Sequence, residues 1–130
     1  MIYLDTSALV KLVFDEAESG ALALWLTGQG ELPKLSSEVA VIELVRACRR
    51  RDTGAEPSAR RLLAGLDLVP LAHDLVEGAC LVPPAELRSL DAIHLACALS
   101  LADALSHFVV YDARLSSAAS AAGLPVIAPA

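Results

Sequence analysis

Short apolar runs alternate with helix-patterned segments along this 130-residue chain, and that alternation leaves few ways to fold it. Ile2-Tyr3-Leu4 reads as a strand closed by Asp5, and Asp5-Thr6-Ser7 are placed to cap a helical turn through Ala8–Val13. A helix is expected from Glu16 to Leu26, stopped by Gly28-Gln29-Gly30. Leu32 to Leu35, interrupted by Pro33, makes at most a small strand. Ser36 or Ser37 opens a helix through Arg50, with Val41, Leu44, Val45 and Cys48 apolar and Glu38, Arg46, Arg49 and Arg50 polar.

Asp52-Thr53-Gly54 is a turn and Pro57 to Leu63 begins another helix. Leu66 to Leu71 reads as a strand, Ala72 to Leu81 as a helix, and Pro83-Pro84 as a loop. Ser89 is expected to cap a helix from Leu90 to Ala102, apolar on nearly every side and therefore deeply buried. His107 to Tyr111 is the clearest strand, ended by Asp112. Arg114 to Ala122 is a short helix closed by Gly123, and Pro125 to Ala128 is a last strand.

Strands alternating with helices imply an α/β fold with a parallel sheet covered on both faces, here one domain over residues 1–130. Right-handed crossovers gather the C-terminal ends of the strands on one edge, where ligands of open sheets bind. Two strong apolar strands close there on the same residue type, Asp5 and Asp112.

Composition narrows what such an edge does. With 55% apolar residues the chain is not disordered, and with 4% aromatic it is a poor stacking platform for bases. A net charge of −6 argues against a protein that coats nucleic acid. It leaves room for an enzyme that handles a phosphodiester through bound cations, with Arg46, Arg49, Arg50, Arg51, Arg60 and Arg61 as a local basic patch. No apolar run is long enough for a membrane span, and no basic leader precedes Ile2, so no signal peptide is expected. Cys48, Cys80 and Cys97 lack CxxC spacing and are expected as buried free thiols in a reducing, cytoplasmic setting.

An aspartate after a strand is ordinarily a cap. Two further acids change that reading, because both sit inside apolar helical runs: Glu43 between Val41-Ile42 and Leu44-Val45, and Asp91 between Leu90 and Ala92-Ile93. Asp91 suits the first turn of a helix, whereas Glu43 lies well inside one, with pairing to Arg46 as the ordinary alternative. Four carboxylates gathered without a cation raise one another's pKa values, and a hard divalent ion removes that cost. Asp5, Glu43, Asp91 and Asp112 are therefore the expected metal and catalytic residues. His94, one turn after Asp91, is read as packed in its helix, and Glu38 as solvated.

Four segments carry a resemblance: Ile2-Tyr3-Leu4-Asp5-Thr6-Ser7-Ala8-Leu9, Ser37-Glu38-Val39-Ala40-Val41-Ile42-Glu43-Leu44, Leu90-Asp91-Ala92-Ile93-His94-Leu95-Ala96 and Val110-Tyr111-Asp112-Ala113-Arg114-Leu115. In this order, and with Gly123-Leu124-Pro125-Val126 at the end, the chain resembles PIN-domain ribonucleases, specifically VapC-type toxins of bacterial toxin–antitoxin pairs. The resemblance implies a PIN-like three-layer domain, with a parallel sheet of four or five strands flanked by helices. It also implies Mg²⁺- or Mn²⁺-dependent cleavage of RNA, a homodimer, and inhibition by a cognate antitoxin. Asp5, Glu43 and Asp91 match the family's three core acids and Asp112 its fourth, with Thr6 or Ser7 orienting an acid or a water. Arg46 and Arg50 are candidates for contact with RNA phosphate.

One position departs from the pattern. The family often carries threonine two residues before its last aspartate, and Val110 stands here, which weakens the support expected for Asp112. Two other readings remain beside the nuclease. A non-catalytic PIN-like binding module would keep the fold without the ion. A receiver-like phosphoacceptor would want adjacent acids after the first strand and a lysine after the last, where this chain has Thr6-Ser7 and Ala128-Pro129.

Overall fold

A computed structural model describes residues 1–130. Five parallel strands, β1 (Ile2–Leu4), β2 (Lys34–Ser37), β3 (Asp67–Val69), β4 (His107–Val109) and β5 (Val126–Ile127), lie in the order β3-β2-β1-β4-β5. The chain runs outward from β1 to β3, returns to pair β4 with the other side of β1, and ends on β5. The order therefore reverses between β1 and β4, the place where open α/β sheets form a crevice.

Seven helices cover the sheet: α1 (Thr6–Val13), α2 (Ser19–Gly28), α3 (Val39–Arg51), α4 (Glu56–Ala64), α5 (His73–Leu81), α6 (Ser89–Ser100) and α7 (Ala113–Ala121). Alternation along the central strands sorts them into two layers. Ile2 and Leu4 of β1 and Val109 of β4 pack with Leu9, Leu22, Leu44, Cys48, Ala59 and Leu63 of α1–α4. Tyr3 of β1 and Phe108 of β4 face the other way, against Leu75, Leu95, Leu115 and Ala118 of α5–α7. Tyr3 stacks on Phe108 with ring centroids 5.3 Å apart. As expected of an all-round apolar helix, α6 is buried from Ala92 through Ala98 apart from Ile93. No helix is long and apolar enough to cross a membrane.

Several boundaries differ from the sequence reading, each for a local reason. Ser36 lies inside β2 and Ser37 is its last residue, so neither is the first residue of α3. Ser36 Oγ donates to the Leu4 carbonyl at 2.7 Å, and Ser37 Oγ accepts from Val39 N, so both hydroxyls are buried without loss of partners. The second helix begins at Ser19 because Glu16 and Glu18 are drawn to Lys11 at 3.2 and 2.7 Å, and Ser19 closes a turn onto the Phe14 carbonyl. Ser89 starts α6 without capping it through its side chain. Gly123, at φ +86°, ends α7 in the left-handed region as its type suggested. Cys48 and Cys97 are buried, whereas Cys80 is exposed on α5.

Candidate active site

The two aspartates that close β1 and β4 are indeed helix caps. Asp5 caps α1, with Oδ2 accepting from Ser7 N at 3.0 Å and Ser7 Oγ at 2.6 Å. Asp112 caps α7, with Oδ1 accepting from Leu115 N at 2.9 Å. Each cap stabilises its helix by about 1 kcal/mol. The two caps are also tied together, since Asp5 N donates to the Val109 carbonyl at 3.0 Å and Tyr111 N to Ser7 Oγ at 2.9 Å. Capping uses one oxygen of each carboxylate. The other, Asp5 Oδ1, meets only His94 Nε2 at 3.7 Å, and Asp112 Oδ2 takes a long 3.4 Å bond from Arg88.

Glu43 does not pair with Arg46. From the first half of α3 it reaches across the strand ends, where its Oε1 accepts from Thr6 Oγ1 at 2.9 Å and lies 2.7 Å from His94 Nε2. His94 is fully buried, and Tyr3 Oη sits 2.7 Å from its other ring nitrogen. A nitrogen facing a carboxylate carries the proton, so Nε2–H donates to Glu43 and is shared with Thr6 Oγ1 at 3.1 Å. Burial works against the imidazolium, yet the bond to Glu43 and the charges of Asp5, Glu43 and Asp91 outweigh it and hold the His94 pKa above its ordinary range.

Asp91 in the first turn of α6 completes the group. Burial raises its pKa, and the charges of Asp5 and Asp112 raise it further against the opposing pull of Arg88. Arg88 bridges Asp91 and Asp112 at 3.3 and 3.4 Å from a largely exposed position. Thus Asp5, Asp91 and Asp112 repel one another across a small space, and Glu43 joins Asp5 through His94.

This donor set fits a hard divalent cation: it is all carboxylate oxygen, with an excess of negative charge at the sheet's switch point. The side chains do not surround one point as a finished coordination sphere, because no three ligating groups converge that closely. One oxygen of each acid at the strand ends and on α3 is instead held by the protein's own donors.

All four sequence-predicted acids are brought to one edge, and Thr6 and Ser7 each bond to one of them. Arg46 and Arg50 stand exposed on α3, while Arg49, Arg51 and Arg60 are drawn toward Glu56 or Glu16. Glu38 is exposed, with Oε1 accepting from Leu71 N at 2.8 Å. Val110 packs in the core with Tyr3, Leu95 and Leu115, so the support of Asp112 comes from Leu115 N and Arg88. Sequence reasoning missed the link made by His94 and the bridge made by Arg88. The available signal was spacing: both sit three residues from Asp91, on either side of it.

The family described as PIN domain matches this chain over residues 2–121. The chain is 44% identical to Ribonuclease VapC47 of Mycobacterium tuberculosis (strain CDC 1551 / Oshkosh), an alignment spanning 99% of this chain and 97% of that one. It is 43% identical to Ribonuclease VapC46 of Mycobacterium tuberculosis (strain ATCC 25618 / H37Rv), spanning 98% and 97%. Among solved structures it superposes on Mycobacterium tuberculosis VapC20, described as a Sarcin-Ricin loop cleaving toxin, with a TM-score of 0.78 at 23% identity, covering 99% of this chain and all of that one. A toxin-antitoxin complex from Klebsiella pneumoniae matches with a TM-score of 0.73 at 20% identity, covering 100% and 98%. The last two are likenesses of fold.

Proposed function

The chain belongs to the PIN-domain family, and from that premise we propose that it is a VapC-type endoribonuclease toxin whose Asp5, Glu43, Asp91 and Asp112 hold Mg²⁺ or Mn²⁺. The observation that carries the site assignment is the gathering of these acids beyond the strand ends, where Arg88 bridges Asp91 and Asp112 and His94 stands between Asp5 and Glu43. Groups that repel one another in the free protein are the groups a cation stabilises.

When bound, the ion lowers the pKa of a water and polarises a phosphoryl oxygen, so the protein needs no covalent nucleophile. The chain's own residues prepare for this. Ser7 and Leu115 N pin one oxygen of Asp5 and of Asp112, while Thr6 and His94 pin one oxygen of Glu43. Arg88 is the cation nearest to Asp91 and Asp112, and Arg46 and Arg50 offer positive charge along α3 for the RNA backbone.

Two partners belong to this reading, an antitoxin and a second copy of the chain. A cognate antitoxin inhibits the enzyme. The exposed Leu71 and Val76, which line a groove of about 400 Å³ between α5 and the start of α6, support a homodimer contact. One domain spanning 1–130 contains all of these parts.

The test is cleavage of RNA by purified protein with Mg²⁺ or Mn²⁺, with the new 5′ ends mapped after brief expression in cells. Cleavage is expected to vanish in Asp5→Asn and Asp91→Asn while the fold persists. A wild-type chain that cuts no RNA with either ion and shows no toxicity without its antitoxin defeats the proposal.

A further inference from the structure

Building on the divalent-metal reading above, we propose that His94 is a positioning residue: its Nε2–H fixes the attitude of Glu43 across the strand ends, and metal affinity depends on that bond. The resemblance gives this histidine no role, and its place on an apolar helix invites dismissal as packing. The geometry points elsewhere. Burying an imidazole is costly unless its nitrogens find partners, and here each partner comes from a different element. Tyr3 of β1 holds Nδ1 at 2.7 Å, while Glu43 of α3 and Thr6 of α1 meet Nε2 at 2.7 and 3.1 Å. The ring thereby joins three elements at the reversal of strand order to the helix that carries Asp91.

The pattern of bonds on Glu43 is specific. Both His94 and Thr6 meet the same oxygen, Oε1, and neither meets Oε2. Asp5 and Asp112 show the same division, with one oxygen pinned by a cap and the other left to other partners. Glu43 sits inside α3 and has no cap to hold it, so His94 and Thr6 do for Glu43 what backbone amides do for the two aspartates. Tyr3 completes the arrangement: by engaging Nδ1 it fixes the plane of the ring and leaves the proton on Nε2.

The experiment is calorimetric titration of the metal-free protein with MnCl₂, run beside thermal melts without metal. His94→Leu is expected to weaken Mn²⁺ binding by about tenfold or more, within the range for loss of a group that orients a ligand. His94→Gln, whose amide nitrogen reaches the place of Nε2 and donates to Glu43, is expected to recover most of that affinity. A packing role predicts otherwise, since the melts would shift in both variants while Mn²⁺ affinity stayed at the wild-type value. The inference is overturned if folded His94→Leu binds as the wild type does, or if His94→Gln is as weak as His94→Leu. Should His94→Leu fail to fold, the near-isosteric Tyr3→Phe decides: weaker Mn²⁺ binding supports the inference and unchanged binding overturns it. A wild-type chain that binds no Mn²⁺ brings down the metal reading and this inference with it. Wild-type binding that His94→Leu leaves intact defeats this inference alone.

Discussion

In the proposed site Asp5 has two jobs for its two oxygens, and substitution separates them. Oδ2 caps α1 by accepting from Ser7 N and Ser7 Oγ, whereas Oδ1 faces the acidic group. Asparagine keeps an acceptor for the cap and removes the charge; alanine removes both. Loss of the cap costs about 1 kcal/mol, while an Asp-to-Asn exchange at such a position costs close to nothing. Unfolding entropy over 130 residues is about 0.27 kcal/mol per kelvin, so 1 kcal/mol moves the melting temperature by about 4 °C. Mn²⁺ at about 100 times its dissociation constant adds about 2.7 kcal/mol to a protein that binds it only when folded, which amounts to about 10 °C. Melting by scanning fluorimetry, with and without MnCl₂, should therefore give three distinct patterns. The wild type rises by about 10 °C with the ion. Asp5→Asn melts within about 2 °C of the metal-free wild type and responds little to the ion, and Asp5→Ala melts about 4 °C lower with no response. An Asp5→Asn protein that keeps the full Mn²⁺ shift would show that this carboxylate is no ligand. Equal losses in the Asn and Ala variants without metal would refute the division of labour between the two oxygens.

Three other outcomes follow from the same structure. The folded pKa of Asp91 lies above its ordinary value near 3.8, so the folded state binds the proton more tightly than the unfolded one. Metal-free stability then falls as pH rises from about 4 through the folded pKa, and the advantage of Asp91→Asn over the wild type grows across that window, as denaturant titrations at several pH values would read; an advantage that shrank with rising pH would contradict the shift. Arg88→Ala removes the cation that bonds the Asp91 and Asp112 oxygens, which the proposed site gives to the ion, so Mn²⁺ affinity should rise a few-fold by calorimetry while metal-free stability drops by less than about 1 kcal/mol, as befits an exposed pair; weaker Mn²⁺ binding would show that Arg88 helps to build the site. Leu44→Ala, on the buried side of α3, should lose about 2–5 kcal/mol in urea unfolding and melt well below the wild type. A smaller loss would mean that α3 is free to settle into the space.

The layered architecture was legible because the pattern that specifies it is local. Apolar triplets such as Ile2-Tyr3-Leu4 and helical spacing such as Val41, Leu44, Val45 and Cys48 are visible within a window of ten residues, and the alternation of Ile2 and Leu4 against Tyr3 becomes the two faces of the sheet. Asp5 and Asp112 could be placed at one edge for the same reason, since parallel strands put their C-terminal ends together. Ser36 and Ser37 were misjudged because polarity usually marks an element's start, and here Leu4 O and Val39 N partner the hydroxyls at the end of β2. The fate of Glu43 was only half visible. Its position inside an apolar run showed that it was unusual, but its partners are Thr6, 37 residues earlier, and His94, 51 later, and no window of sequence contains such a pairing. Arg88 was hidden in the same way, for its second partner, Asp112, lies 24 residues on.

The strand order bears on how the enzyme comes into being. β1 precedes every other element of the chain yet lies in the middle of the sheet, between β2 and β4, and β4 starts only at His107. As the chain is synthesised, Asp5 emerges before any of its acidic companions, and Asp91, His94 and Asp112 follow long after it. Pairings this distant in sequence close late, after the local helices have formed. The acids therefore stay apart until β4 is available to pair with β1, and the group assembles only when that distant pairing closes.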